Sequence, residues 1–171
     1  MRGFVAAEPT WRHFSGLGWA SLGVLELTAL PSMGTDRWVP WVEEVDALLV
    51  DGGDATYLCH WMRESGLAGL LPSLPDTVWV GVSAGSMVVT PRIGSYFVEW
   101  PQAEDDRTLG IVDFSLFPHL NAWPKNMLAD AERWAADLGV PAYAIDEQTA
   151  VKVADGTVEV VSEGEWTAFG M

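Results

Sequence analysis

The stretch Thr77–Thr90, TVWVGVSAGSMVVT, constrains this chain more than any other. A β-branched apolar run stops at Gly81 and resumes after Gly85, with Ser83 between the two glycines. Thr77–Val82 reads as a buried strand, and a short helix starting at Ala84 is ended by Pro91. A serine on so sharp a strand-to-helix turn holds strained dihedrals and tolerates only small neighbours, which the spacing G-x-S-x-G supplies. Gly81, Ser83 and Gly85 therefore read as a nucleophile elbow. The helix start aims unpaired N–H groups and the positive end of its dipole at the reacting centre, so the Ala84 N–H is a candidate oxyanion donor. The bare pattern also fits a tight turn or an anion-binding helix start; the strand before it and the helix after it favour the nucleophile.

The remaining patterning alternates strands and helices. Leu22–Thr28 and Ala47–Asp51 read as strands. Asp54 is an N-cap for a helix over Ala55–Ser65, with Leu58, Trp61, Met62 and Ser65 on one side and Gly66 as its stop. Leu109–Phe114 reads as a further strand, and Pro124–Leu138 as a helix with proline first and Gly139 past its end. Its apolar stripe is Met127, Ala131, Trp134 and Leu138. Tyr143–Ile145 is a strand, and AVKVADGTVEVV alternates around Asp155-Gly156 as a hairpin. The expected architecture is α/β: one domain over residues 1–171, with a mostly parallel sheet flanked by helices on both faces and a C-terminal β-hairpin.

Composition narrows the function. Nine basic residues face 24 acidic ones, a formal net charge of −15, and such a field repels phosphate backbones and anionic lipid. Nucleic-acid and membrane roles are therefore not expected. The densest acidic cluster, Glu104–Asp106, lacks regular metal-ligand spacing and reads as a solvated loop. The ten tryptophans sit mostly beside apolar neighbours and read as packing. A single cysteine, Cys59, excludes an intrachain disulfide and fits a reducing cytoplasm, and no apolar run is long enough to span a bilayer.

A serine nucleophile needs a base, and the chain offers three histidines. His13 lies near the terminus, where a surface role is favoured, and His60 lies inside a helix, where packing is favoured. His119, in DFSLFPHL, follows a strand in a loop stiffened by Pro118, and is the candidate base. The orienting acid is less well defined: Glu99, Glu104, Asp105, Asp106 and Asp113 precede His119, and Asp146 and Glu147 end the later strand. Strand-end position favours the last two without separating them or excluding Asp113. The loop Asp51-Gly52-Gly53-Asp54 permits close backbone approach and is a candidate source of a second oxyanion N–H. A phosphate cradle is the rival, opposed by the two aspartates and by the absence of a following lysine; a plain turn fits equally well.

LLVDGGDATYLCHWMRESGL followed by VWVGVSAGSMV resembles the peptidase E (aspartyl dipeptidase) family of serine peptidases, relatives of cyanophycinase with a class I glutamine amidotransferase-like (flavodoxin-like) fold. FPHL is similar to the family's histidine loop, and YAIDEQTAVKVADG to its acid-bearing strand and hairpin. The family's Gly-Gly-Gly turn has Asp51 in place of its first glycine here. The resemblance implies Ser83 as nucleophile, His119 as base, Glu147 as orienting acid, and the N–H groups of Gly53 and Ala84 as oxyanion hole, with no cofactor or metal. It implies a short peptide substrate, a dipeptide with N-terminal aspartate; a β-aspartyl polymer, a small amide or ester, or a truncated non-catalytic relative are the alternatives. Amidotransferases carry cysteine at the elbow, and Cys59 lies in a helix instead. Aspartate recognition calls for a cation, for which Arg92 and Arg107 are the nearest candidates, each more readily read as a surface residue. Relative to the family, the N-terminal strand–helix–strand region is missing. The expectations are a fragment, a late-start variant, or a rearranged or homo-oligomeric form.

Overall fold

Two short parallel strand pairs carry the architecture of the computed structural model, which describes residues 15–171. After a helical turn, α1 (Val39–Glu43), strand β1 (Ala47–Val50) runs parallel to β2 (Val78–Gly81), with Ala47 opposite Val78 and Val50 opposite Gly81. Parallel neighbours need a crossover, and α2 (Ala55–Glu64) with α3 (Leu67–Leu70) supplies it. Asp54 caps α2 by accepting the Tyr57 N–H at 2.8 Å, and Gly66 ends it in the left-handed region at φ 84°. Cys59 and Met62 of α2 are buried against Trp38, Val42 and Val88. The buried face is rotated from the expected one: Met62 and Ser65 are buried, but Ala55, Thr56 and Cys59 take the place of Leu58 and Trp61.

The helical turn α4 (Ala84–Met87) follows β2, and a long connection leads to β3 (Ser115–Phe117). Helix α5 (Leu128–Leu138) then crosses to β4 (Ala142–Ile145), which lies parallel to β3. Phe117, Ala142 and Ala144 pack against Ala131, Trp134 and Leu138 of α5, whereas Met127, the first residue of the expected stripe, precedes the helix and is exposed. Leu116 and Ile145, pointing the other way, are covered by Phe114 and by Val151 of the hairpin rather than by a helix. That hairpin is β5 (Thr149–Ala154) and β6 (Thr157–Ser162), turned by Asp155 and Gly156 with φ 51° and 73°.

The α/β class with parallel strands holds, and four local expectations change. Leu22–Thr28 forms no strand: a 3₁₀ segment occupies Leu27–Ser32, and Leu25, Leu27 and Leu30 pack onto the core around Trp38. Among the described residues β1 has β2 as its one partner, so no ladder is available to that segment. Leu109–Phe114 is likewise not a strand, because the N–H groups of Leu109, Gly110 and Ile111 bond the carbonyls of Val88, Thr90 and Val89. Gly110 bends the chain there at φ 65°. Helix α5 starts four residues late: the Asn126 carbonyl closes a turn onto the Asn121 N–H, and Asp130 Oδ2 accepts the Met127 N–H at 3.0 Å. A further strand, β7 (Trp166–Phe169), pairs antiparallel with β4, so hydrogen bonding gives separate ladders β1–β2, β3–β4–β7 and β5–β6 in place of one sheet. Among the described residues no helix is long and apolar enough to cross a membrane.

Phe117 is fully buried at the junction of β3, α5 and the rings of Phe97 and Trp134. Phe117→Ala is expected to cost about 3–5 kcal/mol, read as a lowered midpoint in urea unfolding followed by circular dichroism.

Candidate active site

The elbow follows from close backbone packing. A Cβ on Gly81 would lie 2.2 Å from the Gly85 carbonyl oxygen, and one on Gly85 would lie 2.0 Å from the Val50 carbonyl oxygen. Only glycine fits at either place, so α4 seats its first turn directly on the end of β1. The Gly85 N–H bonds the carbonyls of Asp51 and Val82, and the Ser86 hydroxyl bonds the Ser83 carbonyl at 2.7 Å. Between these fixed points Ser83 is held at φ 53° and ψ −119°. Such a conformation costs about 1–3 kcal/mol for a residue with a Cβ, and it persists only where the surroundings over-determine it.

Ser83 opens on a cavity of about 240 Å³ that also receives Gly53, Ala84 and His119. Gly53 sits at φ 119°, which glycine alone adopts with ease, and a Cβ on Gly52 would come into ordinary contact with the Ser83 side chain. Among the described residues neither the Gly53 nor the Ala84 N–H donates a backbone hydrogen bond. Two unspent donors therefore border the cavity beside the serine.

His119 is positioned by the end of β3. Its carbonyl accepts the Ala122 N–H, Leu120 N–H bonds the Ile145 carbonyl, and Asn126 Nδ2 bonds the Pro118 carbonyl at 3.2 Å. The residue itself lies at φ 60°, and its ring meets the Trp123 ring edge-on at 4.7 Å. His119 Nδ1 lies 3.5 Å from Glu147 Oε1. That pairing turns the other ring nitrogen away from the acid.

The two carboxylates at the end of β4 are separated by their hydrogen bonds. Asp146 is engaged within its own turn: Oδ1 accepts from Gln148 N–H and the Thr149 hydroxyl, and Oδ2 from Glu165 N–H at 2.6 Å. The Glu165 N–H above all, helped by Thr149 and Gln148, holds its carboxyl below the usual range against a smaller opposing effect of burial. Glu147 is the acid that faces the histidine. Of the other candidates, Asp105 and Asp106 pair with Arg107 and Arg92, and Glu99 borders the cavity without touching His119 by any hydrogen bond or ion pair among the described residues. His60 packs edge-on against Trp61 and tilted against Trp100, a packing role; His13 lies outside the described residues. Cys59 is buried, and burial pushes its thiol up, away from reactivity.

Phe97, Trp123 and Asn126 also line the cavity and belong to no motif, and Glu99, read from the sequence only as a candidate acid, lines it as well. Asp54 organises one of them. Burial alone would raise its carboxyl, but the Thr56 hydroxyl and the N–H groups of Tyr57, Glu99 and Trp100 outweigh that and hold it below the usual range. Asp54→Ala is expected to cost about 1–2 kcal/mol at neutral pH through loss of the cap. Because the folded carboxyl is depressed, its contribution is complete above the ordinary aspartate range and fades as pH falls through the lowered value. Urea unfolding should therefore show a wild type–variant gap at pH 7 that narrows toward about pH 3.

The chain is similar to known peptidases. The model of peptidase family S51 matches residues 8–161. A structure from Listeria monocytogenes EGD-e assigned to peptidase E is similar at a TM-score of 0.69 and 19% identity, covering 84% of this chain and 71% of that one. The crystal structure of a peptidase from an acI-B1 actinobacterium is similar at 0.57 and 22% identity, covering 92% and 73%. No curated protein gives a match.

Proposed function

Because the chain belongs to peptidase family S51, the peptidase E family, we propose that it is a serine-type exopeptidase that hydrolyses short peptides through Ser83, His119 and Glu147. One observation carries the reading: a serine in a strained elbow shares a small cavity with a histidine whose far nitrogen faces a carboxylate. Ser83 Oγ attacks the scissile carbonyl while His119 takes its proton, then returns that proton to the leaving amine. Glu147 orients the imidazole and steadies the imidazolium. Gly53 and Ala84 donate their N–H groups to the oxyanion, and water releases the acyl-enzyme. The base–nucleophile hydrogen bond is not made among the described residues; such bonds commonly tighten only when substrate is bound.

A cavity of about 240 Å³ suits one residue on the acyl side, in keeping with an exopeptidase of short peptides. Aspartate at that residue, the preference that the family resemblance implies, finds less support. Arg92 is taken by Asp106, through Nε at 3.1 Å and Nη2 at 3.0 Å, and lines a different cavity. Arg107 faces Asp105 at 3.7 Å. Neither borders Ser83.

Turnover of a dipeptide panel tests the assignment. Ser83→Ala and His119→Ala are each expected to lower kcat by at least about a thousandfold. Glu147→Gln should lower it less, because the Glu147 side chain is 66% exposed and solvent screens its hold on the imidazolium. Equal rates in wild type and Ser83→Ala would sink the assignment.

A further inference from the structure

We propose that Asp146 and Glu165 are positioning residues for the base: between them they tie the turn that carries Glu147 to the loop that carries His119, and so keep the acid within reach of the imidazole. The proposal rests on the Ser83–His119–Glu147 reading above and adds to it two residues that lie outside the cavity lining.

Glu147 needs such support. Its side chain is 66% exposed, and the approach of Oε1 to His119 Nδ1 at 3.5 Å is the one ion pair or hydrogen bond that side chain makes among the described residues. A long solvated side chain spreads over many rotamers, so its hold on a partner depends on where the backbone places it. Asp146, the residue before it, fixes that backbone. Oδ1 accepts the Gln148 N–H at 3.0 Å and the Thr149 hydroxyl at 2.7 Å, which closes the turn around Glu147. Oδ2 accepts the Glu165 N–H at 2.6 Å, and the Asp146 N–H returns to the Glu165 carbonyl at 3.1 Å. Gly164 packs against the same carboxylate, where a Cβ would stand 2.1 Å from Oδ2, so the aspartate is seated tightly in the bend before β7.

Glu165 carries the link onward. Its backbone is paired with Asp146, while its Oε2 accepts from Asn121 Nδ2 at 2.6 Å. Asn121 lies two residues past His119, and the two hold φ 63° and 60°, a conformation that residues with a Cβ keep only under constraint. The Asn121 N–H is spent on the Asn126 carbonyl, and the Leu120 N–H reaches the Ile145 carbonyl at 2.9 Å, one residue before Asp146. The contacts form a closed circuit: His119 to Glu147, along the chain to Asp146, across to Glu165, and from its carboxylate to Asn121 beside the histidine. Releasing one member lets the turn and the loop move apart. A shift of about 1 Å is enough to weaken a pairing that starts at 3.5 Å.

The test measures kcat and KM of the full chain for the best substrate of the dipeptide panel. Glu165→Ala should lower kcat about threefold with KM nearly unchanged, and Glu165→Gln, whose amide oxygen still accepts from Asn121, should keep the wild-type rate. Asp146→Ala should lower kcat about tenfold, with Asp146→Asn, which keeps one acceptor oxygen, in between. Both losses should vanish in the Glu147→Gln background, because the clamp then has no acid to hold; a purely structural role would lower the rate by the same factor there. A wild-type kcat in Glu165→Ala or in folded Asp146→Ala, no rescue by Glu165→Gln, or losses as large in the Glu147→Gln background overturns the proposal while Ser83-dependent hydrolysis still stands. Circular dichroism checks the fold of each variant, and the exposed Glu165 decides the case even where Asp146→Ala does not fold. Activity that persists in Ser83→Ala brings down the peptidase reading itself.

Discussion

The approach of Gly85 to the Val50 carbonyl is the contact from which the rest of the site follows. No side chain fits between them, since a Cβ would stand 2.0 Å from that oxygen, and the same squeeze recurs between Gly81 and the Gly85 carbonyl. Two glycines four residues apart thereby dock the first turn of α4 onto the ends of the β1–β2 pair. Ser83, caught between them, is held at φ 53° and ψ −119°. Packing offsets the strain: Ala84, Met87 and Ile93 are buried with Ala55 under the turn, and Val88 is fully buried beside Met62. The serine is exposed to the cavity because its neighbours are locked, and the Ala84 N–H is unspent because a helix start has no earlier carbonyl to use.

Around this anchor the acidic residues divide into two kinds. Asp54 and Asp146 are structural: each carboxylate is saturated by N–H and hydroxyl donors and is held ionised by them. Asp54 joins the loop of Glu99 and Trp100 to α2, and Asp146 joins the start of the hairpin to Glu165, with Gly164 packed so tightly that a Cβ there would meet Asp146 Oδ2 at 2.1 Å. Their neighbours, Glu99 and Glu147, face the cavity and His119 respectively. In each case an aspartate on a short stem fixes the backbone, and the glutamate on a longer one is left exposed. A net charge of −15 reveals nothing of this division, which rests on hydrogen bonds.

The elements legible in the sequence were those whose determinants are local. The elbow glycines, the Asp54 cap, the Gly66 and Gly139 stops and the Asp155-Gly156 turn each act within a few residues, and each stands where the pattern put it. Leu22–Thr28 and Leu109–Phe114 misled because apolar alternation shows only that a segment is part-buried. Whether it joins a ladder depends on a partner elsewhere, and the second segment spends its N–H groups on the turn after α4. Strand β7 was missed for the converse reason: WTAF is short and gains its identity from β4. At the site, Ser83 and His119 were readable from strand ends, whereas Asp146 and Glu147 are adjacent and chemically alike, and only the hydrogen bonds of Asp146 tell them apart. Glu99 and Trp123 carry no local signature; the cavity brings them in from distant loops.

The account's central claim is that the strained serine is a nucleophile made reactive by His119. A serine-directed fluorophosphonate, followed by peptide mass spectrometry, tests it most directly. The account predicts a single stoichiometric adduct on Ser83 that forms far more slowly when His119 is replaced by alanine. An adduct on another residue, or labelling of Ser83 at the same rate without the histidine, would contradict it.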